Sequence, residues 1–451
     1  MPAHCHYSVC PTSTADVKTG SPTITISSGT ATLSVAQEGN IGCGYEIDYE
    51  IDTGNKKCYI GDPAKPEGSA PDNYFADAMT SATVMKVVTA VGGVPGDVSG
   101  KTVNSIKAVW ASLDDAVDSA SDYMTADYVN NTDLTAGGAD VVVHIWCYGG
   151  GTQDASKPII AGATTDVTHY LEIRVPWGLD YGESVLDTNY HWGVWNANAY
   201  TVENSDADAV ILVSDEFTRW DGLQAEPTST TDYVFTLHFD SSVDNFQVAN
   251  CVMLDRTASG GYHQHLGWAT SAPAVGKLRN LILAHGSAEA IRGLGAFKVL
   301  NVLMANCTIY GCGEDGVQAA QESIDALNTA IHGSSGQDFK LFGSNSAGYN
   351  YSEDGTEPGT AGGSNAVDGW TPDWEDTDED VMDFRLQDSS DLIGEGAGPD
   401  TESDCPALDI KGVIRSGSTC DIGAHQYVAG APPAGTPWLY ARLGSRVIGA
   451  A

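Results

Sequence analysis

The chain is short of basic residues. Its 451 residues hold 21 Lys and Arg against 60 Asp and Glu, a net charge of −39. Such a surface repels phosphate backbones, which argues against nucleic acid as a partner, and it opposes docking on anionic membranes. No apolar run reaches about 18 residues, so membrane insertion through a helix is not expected. The first residues, Met1-Pro2-Ala3-His4-Cys5-His6, lack the basic and apolar regions of a secretory signal. The expectation is synthesis in a cytosol without export by that route. Charged residues amount to 18%, too few for long solvated helices.

Glycine is plentiful at 51 residues, and apolar residues make up 42%. Many tight turns between short strands, around a sizeable core, fit that composition. Residues 1–62 are expected to form a small N-terminal β module. Thr23–Ile26 and Thr30–Val35 alternate in period two around Ser28-Gly29, a hairpin signal. Tyr45, Ile47, Tyr49 and Ile51 share one face, and Asp52-Thr53-Gly54-Asn55 turns the chain back toward Cys58. Residues 63–138 are expected to be a connector. Within it Ile106, Val109, Trp110, Leu113 and Val117 lie on one helical stripe, which predicts a helix over about 101–120. Its charges oppose the helix dipole, with Lys101 and Lys107 early and Asp114, Asp115 and Asp118 late, so burial of the stripe must hold it. Strands separated by turns follow, of which Val141–Trp146, Tyr170–Val175 and Ala209–Val213 are clear. Asn250, Asn280, Asn306 and Asn328 each open an Asn-x-x-apolar unit, with spacings of 280−250 = 30, 306−280 = 26 and 328−306 = 22. A repeat of that length suggests stacked coils, with Asn in left-handed turns bonding to its neighbour one coil away.

Asp383-Phe384-Arg385-Leu386, Asp409-Ile410-Lys411-Gly412 and Asp421-Ile422-Gly423-Ala424-His425-Gln426-Tyr427 together resemble the ending of right-handed parallel β-helix proteins, where "D-I-x-G…R…D-I-G-A-x-x-Y" is common. Asp338-Phe339 followed by Tyr349-Asn350-Tyr351-Ser352-Glu353-Asp354 is similar to a late coil of such proteins. The resemblance, closest over about 231–428, implies a mainly β, pectin-lyase-like right-handed parallel β-helix over 139–428. It also implies that the Asp421–Tyr427 string closes the last coil, and that the 101–120 helix caps the first. Residues 429–451 are expected to be a Pro/Gly linker and a docking tail carrying Trp438, Leu439, Arg442 and Arg446, an apolar and basic segment leaving an acidic body.

Parallel β-helices often host polysaccharide lyases and glycosidases, but acids are spread throughout the chain and no residue-by-residue signature selects a catalytic set. No nucleophile elbow or phosphate loop is present. No cofactor is expected unless Ca²⁺, for which Asp376, Asp378 and Asp380, alternating in an acidic segment, could offer oxygens, though the glycine and closing Glu of an EF-hand loop are missing. His4, Cys5, His6 and Cys10 form a single terminal cluster without the second knuckle of a zinc site. Of the aromatics between 177 and 220, Trp192, Trp195 and Trp220 are candidates for stacking on a glycan, with core packing as the alternative. Ten cysteines permit disulfides at Cys5/Cys10, Cys43/Cys58, Cys307/Cys312 and Cys405/Cys420, whereas Cys147, Cys251 and Cys307 are expected as buried thiols.

The resulting expectation is a virion structural or adhesion protein, such as a capsid decoration protein, head fibre or tail spike of a bacteriophage. It would sit on the virion surface, contact other virion proteins and itself as a homotrimer, and meet a host-surface glycan. The alternative is an extracellular or cell-surface polysaccharide lyase or glycosidase working along the β-helix, marked by a stacked row of acids with Arg or His. A bacterial surface adhesin is a third reading.

Overall fold

Alternate apolar residues send one side of each strand inward, and here three parallel sheets share that inward side. The computed structural model describes residues 2–428 apart from 13, 38–40, 53, 64–77, 119–121, 177–189, 207, 230–232, 241–242, 257–261, 269–274, 294–300, 320–322, 342–347, 357–369, 379–381 and 412. Sheet I has eight strands, running from Ala3–Val9 and Val141–Cys147 to Ser323–Leu327. Sheet II has seven, from Thr201–Asn204 to Tyr351–Ser352, and sheet III has seven, from Ile159–Ile160 to Phe339–Leu341. From Thr218 onward the chain visits sheets I, II and III in fixed order through five circuits, the last being Ser323–Leu327, Ala330–His332 and Phe339–Leu341. The protein is thus mainly β, built on long parallel sheets.

Register makes the core a set of columns. In sheet I, Tyr7, Ile145, Ile173, Trp220, Val248, Leu278, Met304 and Ala326 stand over one another. In sheet II the column is Val202, Ala225, Met253, Leu283, Ile309 and Ile331. In sheet III it is Ile211, Leu237, Leu266, Ile291, Val317 and Phe339. All belong to one buried cluster. Each fully buried Val, Leu, Ile, Met or Phe in these columns contributes about 1.5–3 kcal/mol through burial.

The Asn repeats sit where sheet I turns into sheet II. Asn250, Asn280, Asn306 and Asn328 all have φ between 50° and 53°, a left-handed conformation that Asn tolerates. The amide of Asn280 donates to Asn250 Oδ1 at 2.9 Å, and that of Asn328 to Asn306 Oδ1 at 3.3 Å.

Two expectations change at the N-terminal end. Residues 98–107 form a strand, Val98–Lys107, in a seven-stranded antiparallel sheet, and helix is confined to Leu113–Val117 with Ser112 as its N-cap. Among the described residues, the expected helix over 101–120 is thus replaced by a strand and a short helix. The β-branched Val98, Thr102, Val103 and Ile106 find partners on both sides, Thr23–Ile26 and Glu46–Tyr49, and this pairing overrides the helical stripe. The antiparallel sheet continues past residue 62, while Ala3–Val9 leaves it to pair with Val141–Cys147 in sheet I. The hairpin at Ser28-Gly29 and the return from Ile51 into Gly54–Ile60 are present as read.

The third change concerns the Asp421–Tyr427 string. It does not close a circuit. The segment from Trp374 to Tyr427 lies as a strap along the outer face of sheet II. Trp374, Phe384, Leu392, Ile410, Ile422 and Ala424 pack there on Val252, Leu254, Ile282, Ala284 and Ala330. Sheet II is consequently buried on both faces at Val252–Leu254 and Ile282–Ala284, and those two strands read as unbroken apolar runs.

Candidate functional site

The terminal motif is a fastener, held by several of its own side chains. Arg415, buried, donates to Asn280 Oδ1 at 2.8 Å and to the carbonyls of Leu408, Gly423 and Ala424 at 2.7, 3.2 and 3.0 Å. Asp409 accepts from the amides of Lys411, Val413 and Gln426 at 2.9, 2.6 and 2.9 Å. Asp421 accepts from Gly394 N at 2.7 Å and from Tyr427 N. Burial pushes both carboxyls up, and Arg415 opposes that shift. Gly423 has φ 103°, and a Cβ there would come within 2.9 Å of Thr308 Oγ1. Its amide bonds to Asn328 O at 2.7 Å, and His425 reaches the Gly193 carbonyl at 3.2 Å.

A run of hydrogen bonds and ion pairs leads from this fastener to the first strand. Asn250 Nδ2 meets Asp221 at 2.7 Å, and Asp221 pairs with Arg174 at 3.1 Å. Arg174 meets Glu172 at 3.5 Å, Glu172 meets His144 Nδ1 at 2.5 Å, and His144 Nε2 meets His4 Nδ1 at 2.9 Å. The residues alternate with core positions, so the strands place them all on the outer side of sheet I. Burial opposes ionisation of Glu172, but Arg174 and His144 outweigh it and hold its carboxyl well below the usual range. Burial, then the neighbouring His144, lowers His4 to about 4. His6 stacks on His144 at 4.9 Å, and burial holds it neutral too. Cys5, between the two histidines, points into the main core, whereas Cys10 belongs to the antiparallel cluster. Strand alternation and this separation keep the four residues from a common centre.

A second row lies on sheet III and its corner with sheet II. Arg292, Gln318 and Lys340 are in register on successive strands. Glu289 accepts from Gln264 at 2.7 Å and pairs with Arg292 at 3.4 Å. Asp315 accepts from Gln318 at 3.0 Å and pairs with Lys340 at 2.8 Å. Glu314 lies between these acids; burial and then repulsion from Glu289 raise its pKa. The row combines stacked acids with an Arg on one corner, a pattern that the linear sequence could not select.

The remaining candidates fall as follows. Trp220 is 2% exposed in the sheet I column, which corrects its candidacy for sugar stacking: neither face of the ring is free. Trp192 is half-buried against the main core. Trp195 packs against the strap and carries Arg256 over its ring at 5.0 Å. Asp376 pairs in register with Asp383 and caps the Asp378 amide at 3.0 Å. Asp380 lies outside the described residues, as do Trp438, Leu439, Arg442 and Arg446. Among the described residues no group of three or more His, Cys, Asp or Glu is arranged to hold a metal ion. All ten cysteines are buried free thiols, including Cys147, Cys251 and Cys307 as expected, and none of the four considered pairs is bridged. Sequence reasoning missed the His4–His144–Glu172–Arg174 row. Its signal was period-two spacing in three separate strands, which only register could align. Comparison with protein-family models, with curated proteins and with solved structures found no match.

Proposed function

We propose that the three-sheet body is a right-handed parallel β-helix and that the protein is a structural or adhesive virion component, a decoration protein, head fibre or tail spike. The rigid body is displayed outward and the chain assembles with other virion proteins and with itself as a homotrimer. The observation that carries this reading is the commitment of buried polar groups to stiffening. The row from His4 to Arg415 ties successive strands of sheet I together, and the strap covers sheet II. A body so fastened resists bending and peeling, which suits a rod standing on a particle in the medium. The acidic surface keeps such rods apart and soluble. Immunogold labelling and mass spectrometry of purified particles test this. Stoichiometric incorporation in symmetric positions is expected, and its absence from particles made by a host expressing the gene overturns the reading.

A second reading rests on the Glu289, Arg292, Glu314, Asp315 row, which has the residue types of a carbohydrate-active corner. Incubation with acidic polysaccharides, followed by assay of new reducing ends and unsaturated uronates, separates the two. Turnover lost in Glu314→Gln and Glu289→Gln favours the enzyme, while no turnover leaves the row as a structural or glycan-contacting surface.

A further inference from the structure

Of the ten thiols, two stand apart because they face each other. Cys405 Sγ and Cys420 Sγ are 3.6 Å apart, fifteen residues apart in sequence, and both are buried in the strap, in a cluster with Ala305 and Leu327. Disulfide formation brings the sulfurs to about 2.0 Å. The two environments differ. Cys420 Sγ receives amide hydrogens from Asn328 Nδ2 at 3.3 Å and Asn306 Nδ2 at 3.7 Å. Cys405 Sγ meets Cys420 and the Pro406 carbonyl, the latter at 3.7 Å, and Asn328 also reaches it. We infer that Cys405 and Cys420 form a redox-responsive dithiol, with Cys420 the nucleophile and Cys405 the resolving thiol, whose oxidation by peroxide closes a loop within the strap where it lies against the Asn306–Asn328 turns.

The chemistry balances with a peroxide as oxidant. The Cys420 thiolate, its proton passed to solvent, attacks one oxygen of hydrogen peroxide. The O–O bond breaks, a sulfenic acid forms, and hydroxide leaves and takes up the proton as water. Cys405 sulfur then attacks Cys420 sulfur; the S–O bond breaks, the Cys405 proton joins the leaving hydroxyl, and a second water departs. Two thiols and one peroxide become one disulfide and two waters. The hydrogen bond from Cys405 and the nearby Arg415 lower the Cys420 pKa, although burial opposes them, and the same contact raises that of Cys405. The division of labour follows from the two side-chain amides, Asn328 and Asn306, that donate to Cys420 Sγ. Closure matters because the strand pair carrying Cys420 is only two residues long, Gly396–Ala397 with Thr419–Cys420, and Gly396 lies against Asn328.

The test treats the full folded chain with low equivalents of hydrogen peroxide, then alkylates in denaturant and maps peptides without reduction. The expected product is a Cys405–Cys420 cross-link lighter by two hydrogens, with the remaining cysteines alkylated. Amide exchange in the strap is expected to slow about tenfold or more, since a loop of about 15 residues is closed. In Cys405→Ser, dimedone should trap a sulfenic acid at Cys420; in Cys420→Ser, Cys405 should stay unlabelled. Full alkylation of both cysteines after peroxide, or cross-linking of another pair first, overturns the inference. Equal labelling of Cys405 and Cys420 in the two variants overturns the assignment of roles.

Discussion

Replacing Arg415 by Met keeps much of the side-chain volume and removes every donor from the centre of the fastener. Its cost can be worked from the acceptors left behind. The Leu408 carbonyl keeps the Asn280 amide at 2.9 Å, the Ala424 carbonyl keeps Ile410 N at 3.1 Å, and the Gly423 carbonyl keeps Asn306 Nδ2 at 3.4 Å. Asn280 Oδ1 keeps no other partner among the hydrogen bonds described here, and one orphaned buried acceptor costs about 1–3 kcal/mol. Asp409 and Asp421 lose the cation that favours their charged forms. Against this stands the gain from no longer burying a guanidinium. Removal of one member of a buried charged network costs about 3–5 kcal/mol, and we expect that range here. Guanidinium-chloride unfolding gives the total, and hydrogen exchange locates it. Protection should fall at Gly423 and Ala424 and persist in the Ile173 and Trp220 circuits. Arg415→Lys should recover only part, because an ammonium cannot fork to four acceptors so placed. A loss under about 1 kcal/mol with unchanged exchange in the strap would refute the fastener.

Three further outcomes follow from burial and backbone. His265 is fully buried and its pKa is lowered to about 4, chiefly by burial. Its folded value lies below the unfolded 6.5, so the unfolded chain binds the proton more readily; stability is complete above 6.5 and drains as pH falls toward 4, by on the order of 3 kcal/mol. Urea midpoints at pH 7 and pH 4.5 should show the drop, and a His265→Gln variant that leaves the pH profile unaltered would count against it. Gly44 has φ 81°, and a Cβ there would lie 2.4 Å from the Tyr7 backbone, so Gly44→Ala should lower the thermal midpoint by a cost of at least about 1 kcal/mol. Trp220→Ala should cost about 3–5 kcal/mol by leaving a cavity, whereas Trp195→Ala, half-buried beneath Arg256, should cost distinctly less in the same denaturation assay.

Much of the body was legible because its signals are local. The turn at Ser28-Gly29, the strand at Val141 and the left-handed Asn positions each depend on a few neighbouring residues. The helix over 101–120 misled because Ile106, Val109 and Trp110 satisfy a helical period equally well, and only the partners at Thr23 and Glu46 decide the matter. The strap was misplaced for a related reason. Asp421–Tyr427 announced a β-helix ending, yet where that ending lies is fixed by Asn280, Asn306 and Asn328, far away in sequence. A clue existed in the apolar runs at Val252-Met253-Leu254 and Ile282-Leu283-Ala284, which leave no polar face for solvent. The candidate rows were not legible, since His4, His144 and Glu172 meet only through register.

The strap also sets an order of events during synthesis. A stacked repeat ordinarily folds by adding each circuit to the last. Here Ala3–Val9 has only the single Val9–Trp110 bridge as a parallel partner until Val141–Cys147 has been made, and the outer side chains of Val252, Leu254, Ile282 and Ala284 stay uncovered until the strap arrives. A nascent chain therefore carries a strand paired only at its Val9 end early and an apolar stripe late, both of which invite association with other chains. Completion comes only when His425 reaches back to Gly193, a closure across 232 residues, so the molecule ripens as a whole instead of circuit by circuit.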